Sequence, residues 1–207
     1  MNKLFIVRHG ETMWNLEGRT QGHGNSELTD LGKRQARALG KKLRKKGINL
    51  IYSSDLKRAN DTAKIIGHTL GIEEVHVDEG LKEMCFGEWE GKTIDHIKEN
   101  YEEVYKLWRS NPDKALLPGG EKLEDVQERL MDSLKNINES HEDKNILIVS
   151  HGISVKIILL TLLNSSLANL YGIRQDNTAL NIVEMRSYGP VVCSMNDISH
   201  LEELDFE

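Results

Sequence analysis

Three segments of the chain run from apolar residues into side chains able to hold and attack an anion. They are Arg8-His9-Gly10-Glu11-Thr12, Ser53-Ser54-Asp55-Leu56-Lys57-Arg58-Ala59 and Ser150-His151-Gly152. Brought together, Arg8, Arg58, His9 and His151 would surround one small volume with two guanidiniums and two imidazoles, a pocket suited to a dianion. Arginine is always charged and its planar donors match phosphate oxygens. Each charge-assisted hydrogen bond contributes ~1.5–3 kcal/mol, so several are needed to offset phosphate desolvation. A neutral histidine among such cations is a competent nucleophile toward phosphorus, because the cations stabilise charge that builds on the equatorial oxygens. His9 is the best placed, and its other ring nitrogen is expected to donate to a backbone carbonyl and so fix the tautomer. A helix beginning after His151 would add free backbone N–H groups and a positive dipole end at the same place.

A leaving alkoxide needs a proton. The stretch Leu81-Lys82-Glu83-Met84-Cys85-Phe86-Gly87-Glu88-Trp89-Glu90-Gly91 sets carboxylates among apolar and aromatic side chains. Glu83 is the candidate acid, with Glu88 and Glu90 as rivals; apolar surroundings favour a carboxyl that holds a proton until the leaving group takes it. Trp14 and Trp89, beside these motifs, are expected to wall the organic part of a substrate.

The convergence of these segments requires a particular frame. Short apolar, β-branched runs alternate with amphipathic helical patterns, the pattern of an α/β chain with a mainly parallel sheet, whose ligands bind beyond the carboxyl ends of its strands. Strands are predicted at Leu4–Val7, Leu50–Ser53, Val75–Val77, Ile146–Val149, Leu180–Met185 and Val191–Met195, the last two as a hairpin around Tyr188-Gly189-Pro190. Helical stripes run through Leu31, Ala36, Leu39 and Leu43, through Ala59, Ala63, Ile66 and Leu70, and through Leu123, Val126, Leu130, Leu134 and Ile137. Residues 84–120 are the least regular and read as a helical insertion over one end of the sheet. At 207 residues, with no repeat or linker, residues 1–207 read as one domain.

Composition narrows the function further. A net charge of −6 argues against nucleic acid or a membrane surface as partner, since both are polyanions. The basic run Lys41-Lys42-Leu43-Arg44-Lys45-Lys46 closes a helical pattern at Gly47, where cations complement the helix dipole. Cys85 and Cys193 fit no disulfide or zinc spacing, the start reads as no signal peptide, and Ile153–Leu163 falls short of the ~20 residues of a membrane span. A cytoplasmic protein is therefore expected, while oligomeric state is not legible. No histidine pair has a zinc-binding helix spacing, and no Gly-x4-Gly-Lys-Ser/Thr loop occurs. Thiol-phosphatase chemistry fails too, because Gly91 and Ser199 stand where an arginine six residues after a cysteine is needed.

Taken together, the motifs resemble those of the histidine phosphatase superfamily, also called phosphoglycerate-mutase-like, over nearly the whole chain. Arg8-His9-Gly10-Glu11-Thr12 continuing to Trp14-Asn15, Arg58-Ala59 with Thr62-Ala63, the Glu83 segment and Ser150-His151-Gly152 occur in family order. The resemblance implies a three-layer α/β/α sandwich, no metal or other cofactor, phosphorylation of His9, phosphoryl binding by Arg8, Arg58 and His151, and proton donation by Glu83. Asn15, Gln21 and Gly22 match positions lining the phosphate pocket, and Gly152 belongs to the same binding set. His23 departs from the aromatic residue that often follows the Gln-Gly pair. The length and the Glu83–Gly91 stretch look like the small phosphatase branch, which includes broad-specificity and α-ribazole phosphatases. The expectation is hydrolysis of a small phosphorylated metabolite. The alternatives are mutase-type phosphoryl transfer, and a binding module without turnover.

Overall fold

The computed structural model describes residues 1–206. The sheet strands are β1 (Lys3–Arg8), β2 (Leu50–Ser53), β3 (His76–Val77), β4 (Asn145–Ser150), β5 (Leu180–Arg186) and β6 (Gly189–Asp197). The helices are α1 (Met13–Leu16), α2 (Asp30–Leu43), α3 (Lys57–Leu70), α4 (Ile94–Asn100), α5 (Glu102–Ser110), α6 (Leu123–Glu139) and α7 (Gly152–Leu162). The strands lie in the order β3-β2-β4-β1-β5-β6, parallel from β3 to β1 and antiparallel across β5 and β6. All six predicted strands are present, and β5 and β6 form the expected hairpin.

Period-two alternation sorts the central strands into two cores. Leu4, Ile6, Ile146 and Ile148 face α6, α7 and the insertion, while Phe5, Val7, Leu147 and Val149 face α2 and α3. Strands buried on both faces must be apolar throughout, which is why β1 and β4 read as unbroken hydrophobic runs. The result is the three-layer sandwich. The helices carry the signals that begin them: Thr29 caps α2 by accepting from Gly32 N–H, and Thr93 caps α4 by accepting from His96 N–H. α7 differs, being apolar on nearly every side with Lys156 as its one charged residue.

Register explains the convergence at the site. Arg8 pairs with Ser150 and Ser53 with Val149, so β2, β4 and β1 end side by side. His9 N–H donates to Ser150 O at 3.0 Å and Ser54 N–H to Val149 O at 3.0 Å, carrying the ladder one residue further.

The insertion covers this edge as foreseen, with α4 and α5 between 3-10 turns at Gly87–Trp89 and Pro112–Lys114. Trp108 anchors it, meeting Phe86 and Tyr171 edge-on at 5.9 and 6.0 Å between ring centres. Among the described residues, no helix is long and apolar enough to cross a membrane.

Candidate active site

His9 is the first residue beyond β1 and is 3% exposed. Its Nδ1 lies 2.7 Å from Gly10 O, the backbone partner the sequence predicted. That bond places the proton on Nδ1 and leaves the lone pair on Nε2. Arg58 Nε donates to Nε2 across 3.3 Å. Burial first, then the charges of Arg58 and Arg8, hold the His9 ring well below the usual histidine range, so it is neutral at pH 7.

Arg58 is rigidly held. It occupies the second position of α3, and its Nη1 and Nη2 donate to Gly24 O at 2.9 Å and Gly22 O at 2.7 Å. Burial lowers its pKa to about 10, against the pull of Glu83, and the guanidinium stays charged. Thr62, one helical turn on, donates to Arg58 O at 2.7 Å and accepts from Gly10 N–H at 3.0 Å, tying α3 to the loop after His9.

The carbonyls that grip Arg58 sit on a loop shaped by Glu90. Its carboxylate accepts from the backbone N–H groups of His23, Gly24 and Phe86 at 2.9–3.1 Å. Gly22 adopts φ +55°, and a Cβ there would lie 2.1 Å from Glu90 Oε1, so any other residue would have to displace that carboxylate. Glu90 is thus a structural carboxylate. Glu88, the other rival for the acid role, is exposed and accepts from Tyr101 OH.

Arg8 extends from the end of β1, and its Nη1 donates to Gln175 O at 2.7 Å. Its Nε is buried with no partner among the described residues, a donor waiting for an acceptor. His151 is fully buried beside His9, with ring centres 5.3 Å apart, and does not line the cavity. Its Nε2 lies 2.9 Å from Ser54 Oγ, while Nδ1 has no partner among the described residues. Burial and then Arg58 hold this ring, too, well below the usual range.

Glu83 is 7% exposed and its surroundings are polar, not the apolar pocket its sequence neighbours indicated. Oε1 accepts from Met84 N–H and Ser154 N–H, each at 3.0 Å, with Ser154 Oγ also 3.0 Å away; Oε2 accepts from Ile153 N–H at 3.1 Å. The start of α7 is therefore spent largely on Glu83. Of the N–H groups expected to be free for an anion, only that of Gly152 has no partner among the described residues. Oε2, with one donor, is the less committed oxygen.

These groups open into one cavity of about 270 Å³. Asn15, Gln21, Gly22 and Gly152 all line it beside Arg8, His9, Arg58 and Glu83. Asn15 Oδ1 is taken by Thr12 N–H and by Asn177, whose Nδ2 also donates to His9 O at 3.0 Å. Trp89 joins the wall, whereas Trp14 packs against Gly24 and Gly91 outside it. His23 reaches back to Glu83 O through Nε2 at 2.9 Å. The sequence reading missed Ser54 as a partner of His151, Asn177 and Gln175 in the approach to β5, and Arg109, Lys156 and Tyr171 at the outer end of the cavity. Only Lys156 carried a signal, standing four residues after Gly152 on the same face of α7.

A neutral imidazole whose Nε2 meets the Arg58 guanidinium, in one cavity with Arg8 and the Glu83 carboxyl, defines a phosphoryl-transfer enzyme with a histidine nucleophile. Comparison with known proteins agrees. Residues 4–198 match the model of the histidine phosphatase superfamily, branch 1. A metal-independent phosphoserine phosphatase of Arabidopsis thaliana is 34% identical over all of this chain and 86% of its own length. The solved structure of Bacillus stearothermophilus YhfR is 33% identical with a TM-score of 0.92, covering 97% of this chain and 100% of that one. The His9→Ala mutant of Entamoeba histolytica phosphoserine phosphatase, solved with phosphoserine, is 35% identical with a TM-score of 0.87 over the same shares. The chain belongs to the histidine phosphatase superfamily. It is a phosphomonoester hydrolase that works through a phosphohistidine.

Proposed function

We propose that His9 attacks phosphorus, that Glu83 carries the proton, and that the preferred substrate is a small phosphomonoester bearing a carboxylate, with phosphoserine as the model. Nε2 of His9 bonds to phosphorus as the ester P–O bond breaks. Glu83, in its acid form, gives the proton on Oε2 to the departing alkoxide. Glu83 then takes a proton from water, whose oxygen displaces His9 and releases phosphate.

The observation that carries this reading is the His9–Arg58 contact. An Arg58 N–H caps the lone pair. A phosphate oxygen that takes over that N–H frees Nε2 as the substrate is seated, beside the Arg8 Nε and Gly152 N–H that have no partner among the described residues. Asn15, Gln21 and Gly22 line the same pocket, and His151 packs behind the His9 ring. Two cations at its outer end, Arg109 and Lys156, favour a substrate with a second negative group.

Residues 1–207 then serve one catalytic unit in a reducing cytoplasm, consistent with the free thiols of Cys85 and Cys193. The test is release of inorganic phosphate from phosphoserine without metal, run beside an isomerisation assay of phosphoglycerate primed with bisphosphoglycerate. Phosphate release without isomerisation is expected; primed isomerisation as the faster reaction would make the enzyme a mutase.

A further inference from the structure

The wall of the cavity holds a cation with no ion-pair partner among the described residues. Lys156 is half-buried, lines the cavity, and has no hydrogen bond or ion pair among the described residues. Its Nζ stands 5.2 Å from the centre of the Tyr171 ring, and the Arg109 guanidinium covers the same ring at 3.8 Å. An ammonium on an otherwise apolar helix, partly withdrawn from water, is costly unless an anion completes it.

Position gives the scale. Lys156 is one helical turn beyond Gly152, a rise of about 6 Å, on the face that points into the cavity. A phosphoryl group at Gly152 and His9 would therefore set a group two or three carbons away beside the ammonium.

We propose that Lys156 is the specificity-determining residue that binds the second anionic group of the substrate, and that it does so only while protonated. The proposal rests on the phosphatase reading above and sharpens it. The charged and titratable groups around Lys156 are Arg8 from β1, Arg109 from α5, Glu83 from the segment after β3, and Tyr171 from the turn after α7. Burial, then Arg8 and Arg109, bring its pKa down to about 8, with Glu83 opposing. Tyr171, pushed up to about 12 by burial, stays neutral and offers the ring face. Lys156 is thus charged at neutral pH and loses its charge through the mildly alkaline range, and preference for a two-anion substrate follows it.

The experiment compares phosphoserine with phosphoethanolamine, which is the same ester without the carboxylate. The ratio of their kcat/KM values cancels effects at the phosphoryl site. In the parent protein the ratio is expected to fall at least about fivefold between pH 7 and pH 9. Lys156→Met should lower it about ten- to a hundredfold at pH 7, the worth of one charge-assisted hydrogen bond. Lys156→Arg should hold the ratio within about threefold and abolish its alkaline fall, because a guanidinium does not titrate there.

An unchanged ratio in Lys156→Met, or an alkaline fall that persists in Lys156→Arg, overturns the proposal. Calorimetric binding of both compounds to the His9→Ala protein, with and without Lys156→Met, reads the same subsite without turnover. Discrimination in binding without hydrolysis by the parent would uphold Lys156 and sink the phosphatase reading instead.

Discussion

Arg58 Nε donates to His9 Nε2 across 3.3 Å, so on the proposed mechanism the cation that caps this nitrogen is also the one a phosphate must capture to expose it. Removing Arg58 should therefore damage binding and chemistry together. Arg58→Ala is expected to cut kcat by about 10²–10³ and to raise KM, as loss of a preorganised donor to the transition state does. Arg58→Lys should not rescue it, since one ammonium cannot serve His9, Gly22 O and Gly24 O at once. Steady-state kinetics of the two variants checks this.

Glu83→Gln keeps most of the hydrogen-bonded frame at the start of α7 but cannot shuttle a proton. A loss in kcat of about 10²–10⁴ is expected on phosphoserine, whose leaving alkoxide needs protonation. The loss should be much smaller on p-nitrophenyl phosphate, whose phenolate leaves unaided. Equal losses on both esters would remove Glu83 from the acid role.

Gly22→Ala probes the loop that holds Arg58. At φ +55° with Glu90 Oε1 in the way, an added methyl must displace either the carboxylate or the loop. The backbone strain alone is about 1–2 kcal/mol. A lower Tm together with a raised KM for any phosphomonoester is the expected outcome, measured by thermal melts and kinetics on the same sample.

His200 gives a pH test of stability away from the site. It is buried, with Nε2 3.0 Å from Thr178 Oγ1, and burial followed by Lys42 lowers its pKa to about 4. The folded state resists protonation that the unfolded chain accepts below about 6.5, so this stability is complete above pH 6.5 and drains away toward pH 4. Between pH 7 and pH 5 the parent should lose ~2 kcal/mol more than His200→Gln, which keeps a donor for Thr178. Urea titrations at the two pH values measure the difference; His9 and His151 are common to both proteins and cancel.

Why so much of this site could be read from the sequence follows from its construction. Arg8, His9 and His151 sit at the ends of parallel strands and Arg58 in the first turn of the helix that follows β2, and strand ends announce themselves where an apolar run stops. The flanking helices were legible for the same reason, as period-3.6 stripes that meet the two faces of the sheet. Asn177 and Ser54 were not legible, because they act through bonds to His9 O and His151 that only the strand register creates. Glu83 was found by chemistry but for an incomplete reason. Its neighbours in sequence are apolar, while its neighbours in space are the first N–H groups of α7, which begins some seventy residues later.

The most direct test is to mix the protein with phosphoserine, quench in alkali, where phosphohistidine survives, and map the modified peptide by mass spectrometry. Phosphate on Nε2 of His9 in the parent, accumulating in Glu83→Gln if water activation slows more than attack, is the expected result. Brisk phosphate release with no label on His9, or undiminished turnover by His9→Ala, would contradict the account.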